Sequence, residues 1–137
     1  SQKAGSILEE GIRMYPDQVG LRIRYARILI DQGRFRAALQ ALEMESPPKL
    51  KDRLGYYALL AYSRRQLSEY NRAAYLYRAL TLNEPGKAKW WMGWGLCLEK
   101  QGDIEGAREA YVRALDCSGV SEDLKSFLRE RKNRLDN

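Results

Sequence analysis

Three stretches of this chain can be laid over one another: QGRFRAALQAL (32–42), QLSEYNRAAYLYRAL (66–80) and QGDIEGAREAYVRAL (101–115). Each opens with a short polar turn behind an apolar run, and each places an alanine five residues past its turn residue, at Ala38, Ala73 and Ala107. The turn residues Gly33, Ser68 and Gly102 lie 35 and 34 positions apart. Self-similarity at such a period marks stacked supersecondary units, none of which can bury its apolar face alone. Apolar residues recur at three- and four-residue steps, and no segment sustains the alternation of a half-buried strand. A unit of about 34 residues then holds two helices and two turns. The expected fold is all-α, a solenoid of antiparallel helix pairs.

The unit over 88–120 carries the pattern best. Its first helix has Trp91, Trp94-Gly95 and Leu98; past the Gly102 turn come Ala107, Tyr111 and Ala114-Leu115. The unit over 54–87 has Tyr57, Leu60-Ala61, Ser68, Ala73, Tyr77 and a closing Pro85. It is one residue short before Arg78-Ala79-Leu80, so Leu80 falls where a small residue is expected. The unit over 19–52 is the most divergent, with Tyr25-Ala26, Leu29, Gly33, Phe35, Ala38 and Leu42. Its second helix must stop early, because Pro47-Pro48 lack amide donors and disfavour helical geometry before them. These residues resemble the tetratricopeptide repeat (TPR), whose first helix reads W-x2-L-G-x2-Y and whose second carries a small–aromatic–small stripe. In the last unit Gly119 stands where that pattern ends in proline, and still stops a helix.

Counting back one period places Ala4, Leu8, Gly11, Ile12 and Pro16 on second-helix positions of a preceding unit. The expectation is that residues 1–17 are the second half of a repeat within a longer array. At the other end Ser121 is a good N-cap, with Glu122 and Asp123 opposing the positive helix start. Leu124, Phe127, Leu128, Arg131 and Leu135 follow at helical steps, with Lys125, Arg129, Glu130, Lys132 and Arg134 on the other faces. Residues 121–137 read as a capping helix, apolar toward the last repeat and charged toward water. The whole chain, 1–137, is expected to form one TPR domain.

Catalysis and metal binding find little to work with. The chain has no histidine, which removes the commonest general base and zinc ligand. No nucleophile–base set has a recognisable spacing, and Glu9 and Glu10 diverge by about 100° on their helix. Cys97 and Cys117 form no metal-binding motif. No enzyme activity, cofactor or metal is expected. The net charge is +6, and residues 54–87 hold five basic side chains against two acidic ones. A basic stretch of this kind can meet nucleic acid, anionic lipid or an acidic protein segment, or stand simply as a solvated, Arg-rich helical surface.

The TPR resemblance implies a concave groove lined by the first helix of each unit. On that pattern the first unit contributes Ile23, Arg24, Arg27, Ile30 and Asp31, and the second Ala58, Leu59, Tyr62, Arg65 and Gln66. The third contributes Lys89, Met92, Gly93, Leu96, Glu99 and Lys100. Partner binding is expected from Arg24, Arg27, Leu59, Tyr62, Arg65, Lys89, Met92, Gly93 and Leu96. The surface is mixed apolar and basic, suited to a protein or peptide with apolar anchors and acidic groups, since an arginine can fork onto a carboxylate. Chaperone-binding TPR domains hold a terminal carboxylate with Lys and Asn at places 5 and 9. Here those places read Ile23/Arg27, Ala58/Tyr62 and Met92/Leu96, so a carboxylate clamp is rejected. Nucleic-acid binding through the Arg-rich first half, and self-association through the open N-terminal half-repeat, are the alternatives.

RYARILIDQGRFRAAL, WWMGWGLCLEKQGD and SGVSEDLKSFLRERKNRL together resemble the C-terminal repeats of bacterial pilus-biogenesis TPR proteins of the mannose-sensitive haemagglutinin (MSHA) pilus. That likeness implies a scaffold in type IV pilus or secretion assembly, on the periplasmic face of an inner membrane and anchored by an N-terminal helix this sequence does not contain. The three tryptophans fall within WWMGW (90–94). At 100° per residue Trp91, Trp94, Gly95 and Leu98 share one face and are expected in the core, with Gly95 at a close helix crossing. Trp90 shares another stripe with Gly93 and Cys97 toward the preceding unit, where it is expected to fill a gap. Gly93, flanked by Lys89, Met92 and Leu96, is expected to leave a notch in the groove.

Overall fold

The structure is a computed structural model and describes residues 2–136. Eight α-helices follow one another: α1 (Gln2–Met14), α2 (Val19–Asp31), α3 (Phe35–Leu42), α4 (Leu54–Gln66), α5 (Tyr70–Asn83), α6 (Ala88–Lys100), α7 (Ile104–Leu115) and α8 (Glu122–Leu135). A single 3-10 turn, Leu50–Asp52, precedes α4, and no strand occurs among the described residues.

The repeat shows most directly in how the first helices end. Gly33, Ser68 and Gly102 all have left-handed backbones, with φ of 73°, 63° and 83°. After α2 the amide of Arg34 donates to Leu29 O at 2.8 Å and that of Gly33 to Ile30 O at 2.9 Å. After α6 Asp103 donates to Leu98 O at 2.9 Å and Gly102 to Glu99 O at 3.0 Å. This pair of bonds caps the last carbonyls of a helix and needs a left-handed residue between them. After α4, Ser68 donates to Arg65 O at 3.0 Å in the equivalent place. The period read from sequence is thus a period in backbone handedness.

The contacts divide the chain into two compact units, one up to Ser68 and one from Glu69. The single domain expected over 1–137 therefore has two centres of packing, and the cut falls inside 54–87, at the turn carrying Ser68. A repeat architecture keeps its contacts local in sequence, so no one core gathers the whole chain.

In the first unit α1 packs on α2, α2 on α3 and α4, and α3 on α4. Its core is built from Ala26, Leu29, Ala38, Ala41, Leu42 and Tyr56. The small side chains let the helices approach, while Leu29 and Leu42 fill the space between them. α3 is only eight residues long and stops at Leu42, ahead of Pro47-Pro48. Its last carbonyls would otherwise lack partners. Arg22 Nη1 donates to Ala41 O at 3.0 Å, and the Tyr56 hydroxyl donates to Leu42 O. The Tyr57 hydroxyl donates to Pro48 O and ties the proline segment to α4.

In the second unit α5 packs on α6, α6 on α7 and α7 on α8. Ala88, Ala107, Tyr111, Ala114 and Leu128 form its core. α7 starts at Asp103, whose carboxylate accepts from the Gly106 amide at 2.9 Å. α8 starts at Ser121, whose hydroxyl accepts from the Leu124 amide at 3.2 Å, with Glu122 and Asp123 in the first turn. Leu128 is fully buried, whereas Arg129, Glu130 and Arg134 face solvent.

Candidate functional site

The expected binding residues lie on α2 and α4 in the first unit and on α6 in the second. In the first unit α2 presents Arg24 and Arg27, both exposed, and neither takes part in an ion pair or hydrogen bond among the described residues. An arginine left without a carboxylate on a protein surface is available to one from elsewhere. On α4, Arg65 lies over the Tyr62 ring at 5.3 Å, and Tyr62 meets Phe35 edge-on at 6.0 Å. Tyr62 is itself 36% exposed. Leu59 is half-buried, and with Ile23 and Ile30 it packs on the core around Ala26 and Leu29. α2 touches α4, so the two exposed guanidinium groups stand on a helix that packs on the one carrying Leu59, Tyr62 and Arg65.

In the second unit Lys89 is exposed, and Met92 and Leu96 are half-buried against the core shared with Leu124 and Leu128 of α8. Gly93 does not form a notch. It is buried, and a Cβ added there would collide with the Tyr77 ring of α5. The missing side chain admits a tyrosine from the neighbouring helix and opens no surface, so Gly93 leaves the set of partner-contacting residues.

Glu99 also serves the fold. Its carboxylate accepts from Arg131 Nε at 3.1 Å and Nη2 at 3.2 Å, and from the Tyr111 hydroxyl. This two-pronged grip fastens α8 to α6, and both charged side chains are largely buried, at 23% and 16% exposure. Burial, helped by the neighbouring Glu99 carboxylate, pushes the Tyr111 hydroxyl well above its usual pKa. Arg131 and Tyr111 are 32 and 12 residues from Glu99, too far apart for helical spacing to reveal the cluster.

The tryptophans are arranged differently from the expectation. Trp90 is the buried one, at 7% exposure, on the stripe with buried Gly93 and Cys97, and Lys87 lies 5.6 Å over its ring. Trp91 and Trp94 are half-buried and stack with centroids 5.8 Å apart, lining an open cleft of about 570 Å³. The reason is Gly95. A Cβ there would lie 2.5 Å from Tyr111 Cε1, so α6 already meets α7 through backbone and a tyrosine, and the stacked indoles stand beside that contact. Among the described residues no cluster of three or more His, Cys, Asp or Glu could hold a metal, and no helix is long and apolar enough to cross a membrane.

Two tetratricopeptide-repeat family models match the sequence, one over residues 2–61 and the other over residues 59–121. The chain belongs to the tetratricopeptide-repeat family. The crystal structure of MamA is similar to this TPR protein at a TM-score of 0.71 and 15% identity, over 93% of this chain and 80% of that one. Among curated proteins, none matches the sequence as a relative. Its repeats and its likeness to a solved TPR structure make this chain a protein–protein interaction scaffold.

Proposed function

We propose that this TPR protein binds a peptide or helical segment through the first-helix face of its repeats, using Arg24, Arg27, Leu59, Tyr62 and Arg65. Lys89, Met92 and Leu96 supply a smaller patch of the same kind in the second unit. The observation that carries this reading is the charge imbalance on α2. Arg24 and Arg27 are exposed without an acidic partner, on helices that also carry an accessible Tyr62–Arg65 stack. A partner with apolar anchors beside carboxylates would satisfy both features, and aromatic–arginine surfaces are where binding energy concentrates. Nucleic acid would need only the charge, and makes no use of the half-buried Leu59.

The resemblance of the Arg-rich α2–α3 stretch, the tryptophan-bearing α6 and the C-terminal helix to MSHA-pilus TPR proteins supports a place in bacterial type IV pilus or secretion assembly, where the partner is another assembly component. Affinity capture with this protein as bait, followed by mass spectrometry, tests both levels. Partners retained by the native protein are expected to be lost with Tyr62→Ala and with the double reversal Arg24→Glu/Arg27→Glu, while helicity stays intact. Unchanged capture by both variants would move the site off this face. Recovery of pilus-assembly proteins supports the assembly role. Recovery of the chain's own copies favours self-association through α1, where Ile7 and Met14 are 63% and 62% exposed.

A further inference from the structure

The last repeat, 88–120, has a helix seated on it that is not its own. Among the 14 residues of α8 Leu128 alone is buried, with Leu124 and Leu135 half-buried against Ala107, Tyr111 and Ala114. α6 buries five residues and α7 four over similar lengths. An element with so few buried side chains opens at lower cost than its neighbours. What fastens α8 is largely ionic. Arg131 reaches back to Glu99 of α6. Arg108 of α7 holds the C-terminal end, donating to Asp136 Oδ1 at 2.6 Å and to Leu135 O at 2.8 Å. The Arg108 and Asp136 side chains are 27% and 40% exposed, so this fastening is open to screening by salt. The connection from α7, residues 116–121, bends at Gly119, where φ is 70° and nothing lies within 4 Å of an added Cβ. No packing holds that bend.

α8 is also an imperfect fit. Its inward face, centred on Leu128, carries Leu124 and Leu135, with Arg131 along one edge. Lys125 and Lys132 lie along the opposite edge, within about 60° of Leu128. Both side chains are only 31% exposed, yet they pair with Glu122 at 3.7 Å and Asp136 at 3.2 Å, carboxylates of the same segment. Among the described residues neither ammonium group meets an acidic side chain of α6 or α7. Two charged groups are thus held at the rim of an apolar contact with no partner across it, a desolvation that an apolar residue at either place avoids.

We propose that α8 is an exchangeable occupant, and that the face of α7 and α6 beneath it is a docking site for a helix of a partner protein. That helix presents leucines at i and i+4 and an arginine at i+7, as Leu124, Leu128 and Arg131 do. It carries apolar residues at i+1 and i+8, where α8 has Lys125 and Lys132. Its leucines enter the core at Ala107, Tyr111 and Ala114, and its guanidinium takes the two-pronged place on Glu99. A tethered helix competes at an effective concentration of about 1 mM, so only an occupant that fits better displaces it. Two apolar residues in place of two lysines supply that advantage. Until then α8 keeps the face covered against weaker helices.

The test uses the full chain and a fluorescein-labelled peptide with the sequence of residues 121–136 carrying Lys125→Leu and Lys132→Leu. Fluorescence anisotropy is expected to show saturable binding. Binding should weaken about 10-fold or more when the peptide also carries Arg131→Glu, which sets a carboxylate against Glu99. Arg108→Gln in the chain removes a fastening of the resident α8 outside the core and should tighten binding several-fold. Tyr62→Ala should leave it unchanged, which separates this site from the face carrying Arg24 and Arg27. Deuterium exchange read by mass spectrometry distinguishes displacement from binding elsewhere. On saturation the chain's own 121–136 segment should lose protection, while α6 and α7 keep theirs. No binding, binding indifferent to Arg131→Glu or to Arg108→Gln, or binding that leaves the chain's α8 protected overturns the inference. Reversible dimerisation of the chain alone, abolished by Arg131→Glu, would give the face to a second copy's α8 and overturn it too.

Discussion

Replacing Gly95 with alanine tests whether the glycines of α6 are there for packing. The new Cβ would lie 2.5, 2.8 and 3.0 Å from Cε1, Cδ1 and Cζ of Tyr111. Carbon atoms rest at about 3.5–4.0 Å, so α6 or the ring must give by roughly 1 Å. The ring has nowhere to go: Tyr111 is fully buried, and its hydroxyl is tied to Glu99, which Arg131 also grips. Overpacking of this sort costs about 1–3 kcal/mol, against about 1 kcal/mol that alanine gains over glycine inside a helix. With the ring pinned, the cost lies in the upper part of that range, about 2–3 kcal/mol, so the expected net loss is about 1–2 kcal/mol, which lowers Tm by about 5 °C in a chain of this size. Gly20→Ala is the control, because nothing lies within 4 Å of a Cβ at that helical position. It should stabilise by about 0.4–1 kcal/mol through the unfolded chain. Thermal and urea unfolding followed by circular dichroism would show opposite signs for the two variants. In a Tyr111→Leu background the Gly95→Ala penalty should shrink, giving a coupling of about 1 kcal/mol or more. A neutral or stabilising Gly95→Ala, with no coupling to Tyr111, would refute the reasoning.

Two further outcomes follow from the backbone and from titration. Ser68 is the one described non-glycine residue with positive φ, so Ser68→Gly should stabilise by about 0.5–1 kcal/mol, and Gly102→Ser should destabilise by a similar amount in the same unfolding assay. Tyr111 has its pKa raised, so the folded state keeps the proton longer than the unfolded one; its contribution is whole below pH 10.0 and falls as pH rises through the raised value. Tyr111→Phe should therefore make the fall in stability between pH 10.0 and the raised value less steep, by up to about 1.4 kcal/mol per pH unit, as measured by urea unfolding across the alkaline range.

The fold was legible because repeat spacing fixes what a single unit leaves open. Gly33 and Gly102 announce their left-handed turns by being glycine. Ser68 does so only by lying one period from each. The early end of α3 was readable from Pro47-Pro48, since missing donors act locally. The side chains that make that end tolerable, Arg22 and Tyr56, were not, because they come from 19 and 14 residues away. Helical facing correctly put Trp91, Trp94, Gly95 and Leu98 on one stripe and Trp90 with Gly93 and Cys97 on another. It could not say how deep each stripe goes. Depth is set by what lies opposite: tyrosines from α5 and α7 that enter where α6 has no side chain. Gly93 was misread for the same reason, since an absent side chain looks identical in sequence whether it faces solvent or Tyr77.

The same geometry links packing on α6 to what its surface offers. With tyrosines filling the places over Gly93 and Gly95, α6 sits close against both neighbouring helices, and indoles are too large to share those contacts. Trp90 is buried, whereas Trp91 and Trp94 are half-buried and line the cleft. Their half-exposure is a consequence of how closely the helix backbone packs. Lifting α6 by even the ångström that Gly95→Ala demands would move the Trp91 indole relative to Pro85 O and Arg113, the two groups that hold it. The tryptophan stack depends on the rigidity of its repeat, since its hydrogen bond to Pro85 O and its contact with Arg113 rest on helices whose spacing two glycines determine.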